Sequence, residues 1–142
     1  MEVTAVKETA AHWLKQFWPT LTMSNSLRFG HLSRDPKMDA SYKSDSLRHR
    51  KVSAPLYLGM REAMTEVQSH AASWNADCPL LLQIAGQDKV VDSQESMAFA
   101  ERVSAPNKKI HLYEDSYHEI YNDINRPEVM GHMYDFLGEI PL

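Results

Sequence analysis

Val3, Val6, Ala10, Trp13, Leu14 and Phe17 recur at helical spacing and predict an amphipathic helix, which Pro19 ends. No sustained period follows from Thr20 to Lys51, a stretch rich in Ser, Asp, Arg and Lys. Short helices are expected there around Pro36–Tyr42 and Asp45–Arg50. A segment this long without regular structure reads as a lid or binding segment, or as a mobile tail.

Regularity begins at Ser53. Ser53 suits a helix cap with Pro55 in the first turn. Leu56, Met60, Ala63, Met64, Val67, Ala71 and Trp74 then mark one apolar face of a helix of about five turns, which Asn75-Ala76-Asp77 breaks. Leu80-Leu81-Leu82-Gln83-Ile84 is apolar on both faces and bounded by Pro79 and Ala85-Gly86, the pattern of a buried central strand. Asp92-Ser93-Gln94-Glu95 has capping-box form and opens a helix through Met97, Phe99, Ala100 and Val103, ending before Pro106. Lys109–Tyr113 alternates as a second strand. Strand, helix, strand in this length predicts a βαβ unit, parallel with a right-handed crossover. A last helix runs from about Arg126 to Glu139, with Asn125 as its expected cap, Glu128 at the matching third position, and Val129, Met133, Phe136 and Leu137 on one side. Two apolar strands fit poorly at the edges of a sheet, so this α/β pattern reads as the end of a larger α/β domain.

Composition narrows the class. The 142 residues are enough for one cored domain. A single cysteine excludes an internal disulfide, and no Cys/His cluster has zinc-ligand spacing. The net charge of -4 argues against nucleic acid as a partner, which needs clustered Lys and Arg. No run reaches the roughly 18 apolar residues of a transmembrane segment, and charges scattered through the first twenty residues argue against a secretory leader. A cytoplasmic or membrane-peripheral location is expected.

Chemistry in an open α/β sheet gathers in loops after the carboxyl ends of strands. Here those loops are Ala85–Asp92 and Glu114–Glu119. They offer an acid, Asp88, and a histidine, His118, suited to an acid–base pair in which the carboxylate fixes the imidazole tautomer. A hydrogen-bonded surface histidine is the competing reading of His118. Asp92 is the competing acid, though the capping box already accounts for it, and Asp115 in the histidine's own loop is expected to face solvent. Glu119 does not open a zinc motif, because the second histidine would fall at Asn122.

Pro79–Gln83 followed by Gly86-Gln87-Asp88-Lys89-Val90-Val91-Asp92 resembles the acid-bearing segment of the monoacylglycerol lipase and lysophospholipase branch of the α/β-hydrolases, the serine aminopeptidase-like hydrolases. Tyr113–Glu119 resembles its histidine segment. Leu32-Ser33-Arg34-Asp35-Pro36 and Ser44-Asp45-Ser46-Leu47 resemble its cap region, where Asp-Pro-Leu is more usual than Asp-Ser-Leu. The resemblance runs from about Leu21 to Leu137. It implies an α/β-hydrolase fold in its C-terminal part: residues 1–20 a helix of the hydrolase core, 21–75 a helical cap, and 76–142 the C-terminal βαβα part. It also implies Asp88 as triad acid and His118 as triad base. No two of Gly30, Gly59, Gly86, Gly131 and Gly138 bracket a serine as Gly-x-Ser-x-Gly, and the His-Gly oxyanion segment is absent.

The implied substrate is a lipid ester such as a lysophospholipid or monoacylglycerol, and no cofactor is expected. Tyr57, Met60 and Met64 are the first candidates for acyl contacts, with Trp18, Phe29, Tyr42 and Trp74 as further candidate walls. Met and aromatics at helical spacing also fit an ordinary core. Lys43, Arg48, Arg50 and Lys51 suit either a lipid phosphate or a solvated loop face. Three readings stay open: a C-terminal portion of a serine ester hydrolase, inactive by itself; a truncated product or half-enzyme that docks on a separate N-terminal half bearing the serine; and an unrelated helical interaction module.

Overall fold

The computed structural model describes residues 5–25, 27–28, 30–74 and 77–140, with side chains from residue 9 onward. Val3 and Phe29, the side chain of Val6, and the Asn75-Ala76 break fall outside the described set.

The chain divides into two compact units. One takes in the chain up to Leu27 together with Ser46–His70; the other takes in Arg28–Asp45 and everything from Ala71. In the first unit, α1 (Ala5–Phe17) packs on α3 (Ala54–His70), with Ala11 buried against Ala54 and Leu58. The small side chains let the two backbones approach, and burying Leu58 contributes about 1.5–3 kcal/mol. Leu14 and Tyr57 flank this contact.

Three corrections arise here. No helix forms at Asp45–Arg50. Instead, β2 (Lys51–Ser53) pairs antiparallel with β1 (Thr22–Ser24), with Met23 opposite Val52, and Asn25 N–H donating to Arg50 O extends the ladder at 2.8 Å. Strands of three residues are too short to show a period, so cross-strand pairing alone defines them. The expected inner face of α3 also turns outward: Leu56, Met60, Met64 and Val67 are each half exposed, whereas Ala54 and Leu58 are buried. The apolar stripe is real, but α1 packs on the neighbouring Ala54–Leu58 side. The helix stops at His70 rather than continuing to Trp74.

The second unit is built on β3 (Leu81–Ala85) and β4 (Lys109–Tyr113), paired parallel and in register from Leu81↔Lys109 to Ala85↔Tyr113. Between them runs α4 (Ser93–Arg102), capped by the Asp92 carboxylate, which accepts from the N–H groups of Gln94 and Glu95. Helix α5 (Arg126–Gly138) turns the fully buried Val129 toward Ala85, Tyr113 and Ile120. Phe136 is buried too, but Leu137 is half exposed. Asn125 precedes α5 without capping it by its side chain, a further departure from expectation. Its Oδ1 instead accepts from Ser116 Oγ and Arg34 Nη2. Helix α2 (Pro36–Ser44) is capped by Asp35, with Pro36 at its first position.

Beneath α5 the sheet carries a polar layer. The rings of His111 and His132 stack at 4.1 Å, and Tyr113 Oη pairs with His132 Nδ1 at 3.0 Å. Gln83 Nε2 donates to Tyr113 Oη and to Val129 O, while Tyr121 Oη donates to Gln83 Oε1.

Candidate active site

The loops after β3 and β4 leave the sheet side by side because the strands are parallel and in register. Gly86 makes their approach feasible. A Cβ there would lie 2.5 Å from the carbonyl oxygen of Glu114, so only glycine lets the two backbones pass. Gly86 N–H donates to Tyr113 O and Gln87 N–H to Ser116 O, stitching one loop to the other. Lys89 Nζ caps the Tyr117 ring at 3.6 Å, a cation–π contact between the same loops.

This arrangement brings Asp88 and His118 together. His118 Nδ1 lies 2.8 Å from Asp88 Oδ2. The Asp88 side chain is only 6% exposed and the His118 side chain 35%. The other Asp88 oxygen, Oδ1, accepts from the N–H groups of Val90 and Val91 at 2.7 and 3.0 Å. The carboxylate is therefore held in one orientation by its own loop, with one oxygen left for the imidazole. With Nδ1 engaged by Asp88, the second ring nitrogen, Nε2, lies on the side of the ring away from the carboxylate. A hollow of about 210 Å³ adjoins the pair, lined by Ile84, Val91, Ser93 and Ile120 among others. A larger hollow of about 440 Å³ lies in the other unit among His12, Arg61, Glu62 and Glu66. Its lining is Leu58 and polar or charged side chains of α1 and α3.

The competing acids have other positions. Asp92 is the cap of α4, and Asp115 is exposed. Glu119 accepts from Asn122 Nδ2 at 2.8 Å. Tyr57 sits beside the α1–α3 contact, whereas Met60 and Met64 are half exposed on the outer side of α3. Trp18 is exposed in the same unit; Tyr42 and Trp74 belong to the second, where Trp74 packs on Phe99. The candidate acyl walls are thus divided between the units. Among the basic residues, Arg50 Nη2 donates to Leu27 O.

One group was not legible as part of the site. Asp123, with its side chain fully buried, accepts from Arg34 Nε with both oxygens, at 3.1 and 3.0 Å. It also accepts the backbone N–H groups of Arg34, Tyr117 and Ile124. Burial alone would raise its pKa, but the bonds from Tyr117, Ile124 and Arg34 outweigh it and hold the carboxyl below the ordinary aspartate value. The quoted Ser33-Arg34-Asp35 segment was the available signal, though nothing in it names the partner.

A parallel strand pair flanked by helices is the pattern of the α/β-hydrolase fold, and comparison with known proteins places the chain in it. The model of the family described as serine aminopeptidase, S33, matches residues 1–125, so this chain belongs to that family. It is 30% identical over 131 residues to the phospholipase YtpA of Bacillus subtilis, covering 91% of this chain and 49% of that protein. Against the monoacylglycerol lipase of Mycolicibacterium smegmatis it is 28% identical over 125 residues, covering 85% of this chain and 42% of that one. The crystal structure of Paleococcus ferrophilus monoacylglycerol lipase superposes with a TM-score of 0.81 at 25% identity, over 93% of this chain and 51% of the other. The chain thus spans about half, or less, of the length of these relatives. No described helix is long and apolar enough to cross a membrane.

Proposed function

We propose that this chain supplies the acid and the base of a serine hydrolase triad acting on lipid esters of the lysophospholipid or monoacylglycerol kind. The observation that carries the reading is the 2.8 Å contact of His118 Nδ1 with a buried Asp88 whose other oxygen is already held by backbone. In the proposed reaction His118 Nε2 takes the proton of a serine hydroxyl as its oxygen attacks the ester carbonyl. The C–O bond to the alcohol then breaks, and His118 returns the proton to that alcohol. Water, activated by the same nitrogen, releases the acid in a second cycle. Asp88 stabilises the imidazolium formed in between. No cofactor takes part.

The nucleophile and oxyanion donors come from outside this sequence, which contains no Gly-x-Ser-x-Gly. By itself the chain is inactive. In this reading residues 1–20 belong to the hydrolase core, 21–75 to the cap, with Tyr57, Met60 and Met64 contacting the acyl chain, and 76–142 to the βαβα part. A separate N-terminal half is a partner this reading admits. The described β3–β4 sheet has two strands, and partly exposed apolar residues such as Leu112 favour further pairing at its edges. Membership of the serine aminopeptidase family removes the unrelated-module alternative.

A fluorophosphonate probe tests the reading. The purified chain stays unlabelled; adding a companion segment that bears Gly-x-Ser-x-Gly restores labelling and lipid-ester hydrolysis, both dependent on His118. Specific labelling of a serine in this chain, or hydrolysis indifferent to His118, overturns it.

A further inference from the structure

We infer that Arg34, acting through Asp123, is a positioning residue that sets the His118 ring against Asp88. The inference rests on the proposed role of the Asp88–His118 pair and adds how that pair is held.

His118 sits in a loop, so its ring is placed by the backbone on either side. One neighbour is tied to Leu32 directly, the other to Asp123, the partner of Arg34. Tyr117 N–H donates to Asp123 Oδ2 at 2.9 Å, and Glu119 N–H donates to Leu32 O at 2.8 Å. The first tie depends on Asp123 remaining an ionised carboxylate in a fully buried place. Arg34 supplies the countercharge: its Nε reaches both carboxylate oxygens, while Nη2 reaches Asn125 Oδ1 at 3.2 Å. That fork needs a planar guanidinium; a lysine ammonium brings charge without the geometry. Without the Arg34 side chain the buried carboxylate loses its only described countercharge and is left with backbone N–H donors, so its position shifts and the Tyr117 bond weakens with it. The loop then loosens one residue from His118. A displacement of about 1 Å is enough to lose a 2.8 Å imidazole–carboxylate bond.

The experiment uses this chain as it is and needs no catalysis. In the 15N-labelled chain, the downfield imidazole N–H of His118 is identified by its loss in Asp88→Asn. We expect Arg34→Gln to abolish that signal, or to raise its exchange with solvent by about tenfold, the scale of one net hydrogen bond. The amide spectrum of β3, α4 and β4 stays in place. Arg34→Lys, the milder change, moves the signal in the same direction and decides the matter if Arg34→Gln fails to fold. Lys109→Met, which removes the ion pair with Glu139 elsewhere in the unit, leaves it unchanged. The inference is overturned if Arg34→Lys keeps signal and exchange rate intact, or if Lys109→Met disturbs them equally. A separate outcome, no Asp88-dependent His118 signal in the unaltered chain, overturns the Asp88–His118 reading itself.

Discussion

His118 Nδ1 and Asp88 Oδ2 stand 2.8 Å apart although the residues belong to loops following different strands. Parallel register brings the loops to the same end of the sheet, and Gly86 lets them touch. The carboxylate is pinned on its far side by Val90 and Val91, so it acts as a fixed template for the imidazole.

In the proposed enzyme, completed by a segment that bears the serine, Asp88→Asn and His118→Ala should each lower kcat on the order of 10⁴-fold, with KM little changed, because a triad acts as a unit in the transition state. Steady-state hydrolysis of a monoacylglycerol measures this. A loss smaller than about tenfold in either variant rules out the triad roles.

Gly86→Ala should destabilise the second unit by about 1–3 kcal/mol, since its Cβ meets the Glu114 backbone rather than a side chain able to move aside. Urea unfolding checks it. Asp92→Ala, which removes only a helix cap, should cost about 1 kcal/mol.

Asp123 has a folded-state pKa below its ordinary value, so its stabilisation is fully present above the ordinary aspartate range and disappears as pH falls through the folded value. Acid unfolding should steepen below about pH 4, and Asp123→Asn should be less stable at neutral pH yet show a flatter acid limb. An unchanged slope in that variant assigns the acid sensitivity elsewhere.

His111 is shifted down from 6.5, first by burial, then by the neighbouring His132 and Lys109, with Glu128 opposing. Its neutral form is therefore favoured by folding, and the associated stability is present above 6.5 and lost as pH falls through the lower folded value. His111→Phe should keep the ring stacking and flatten the decline of melting temperature on the acid side of 6.5. A decline as steep as before excludes His111 as its source.

The sequence by itself determined β3, α4, β4 and the cap at Asp92, because each rests on interactions within a few residues. An apolar run, a carboxylate two positions from the amide it accepts, and period-two alternation are all written locally. Asp88 and His118 were legible for a related reason: parallel pairing makes the loops after successive strands neighbours. The family segments around them then narrowed the chemistry.

Only the tertiary structure decided the rest. The periodicity of α3 identified an apolar stripe, yet whether that stripe or the Ala54–Leu58 side meets α1 depends on how closely two backbones can approach. Asn125 follows the rules of a helix cap, but Arg34 and Ser116 compete for its oxygen and hold it. Arg34 and Asp123 lie 89 positions apart, and no local rule pairs a particular arginine with a particular aspartate. Charge in a buried place must be matched by whatever the fold brings alongside, and that choice is made by packing, not by spacing along the chain.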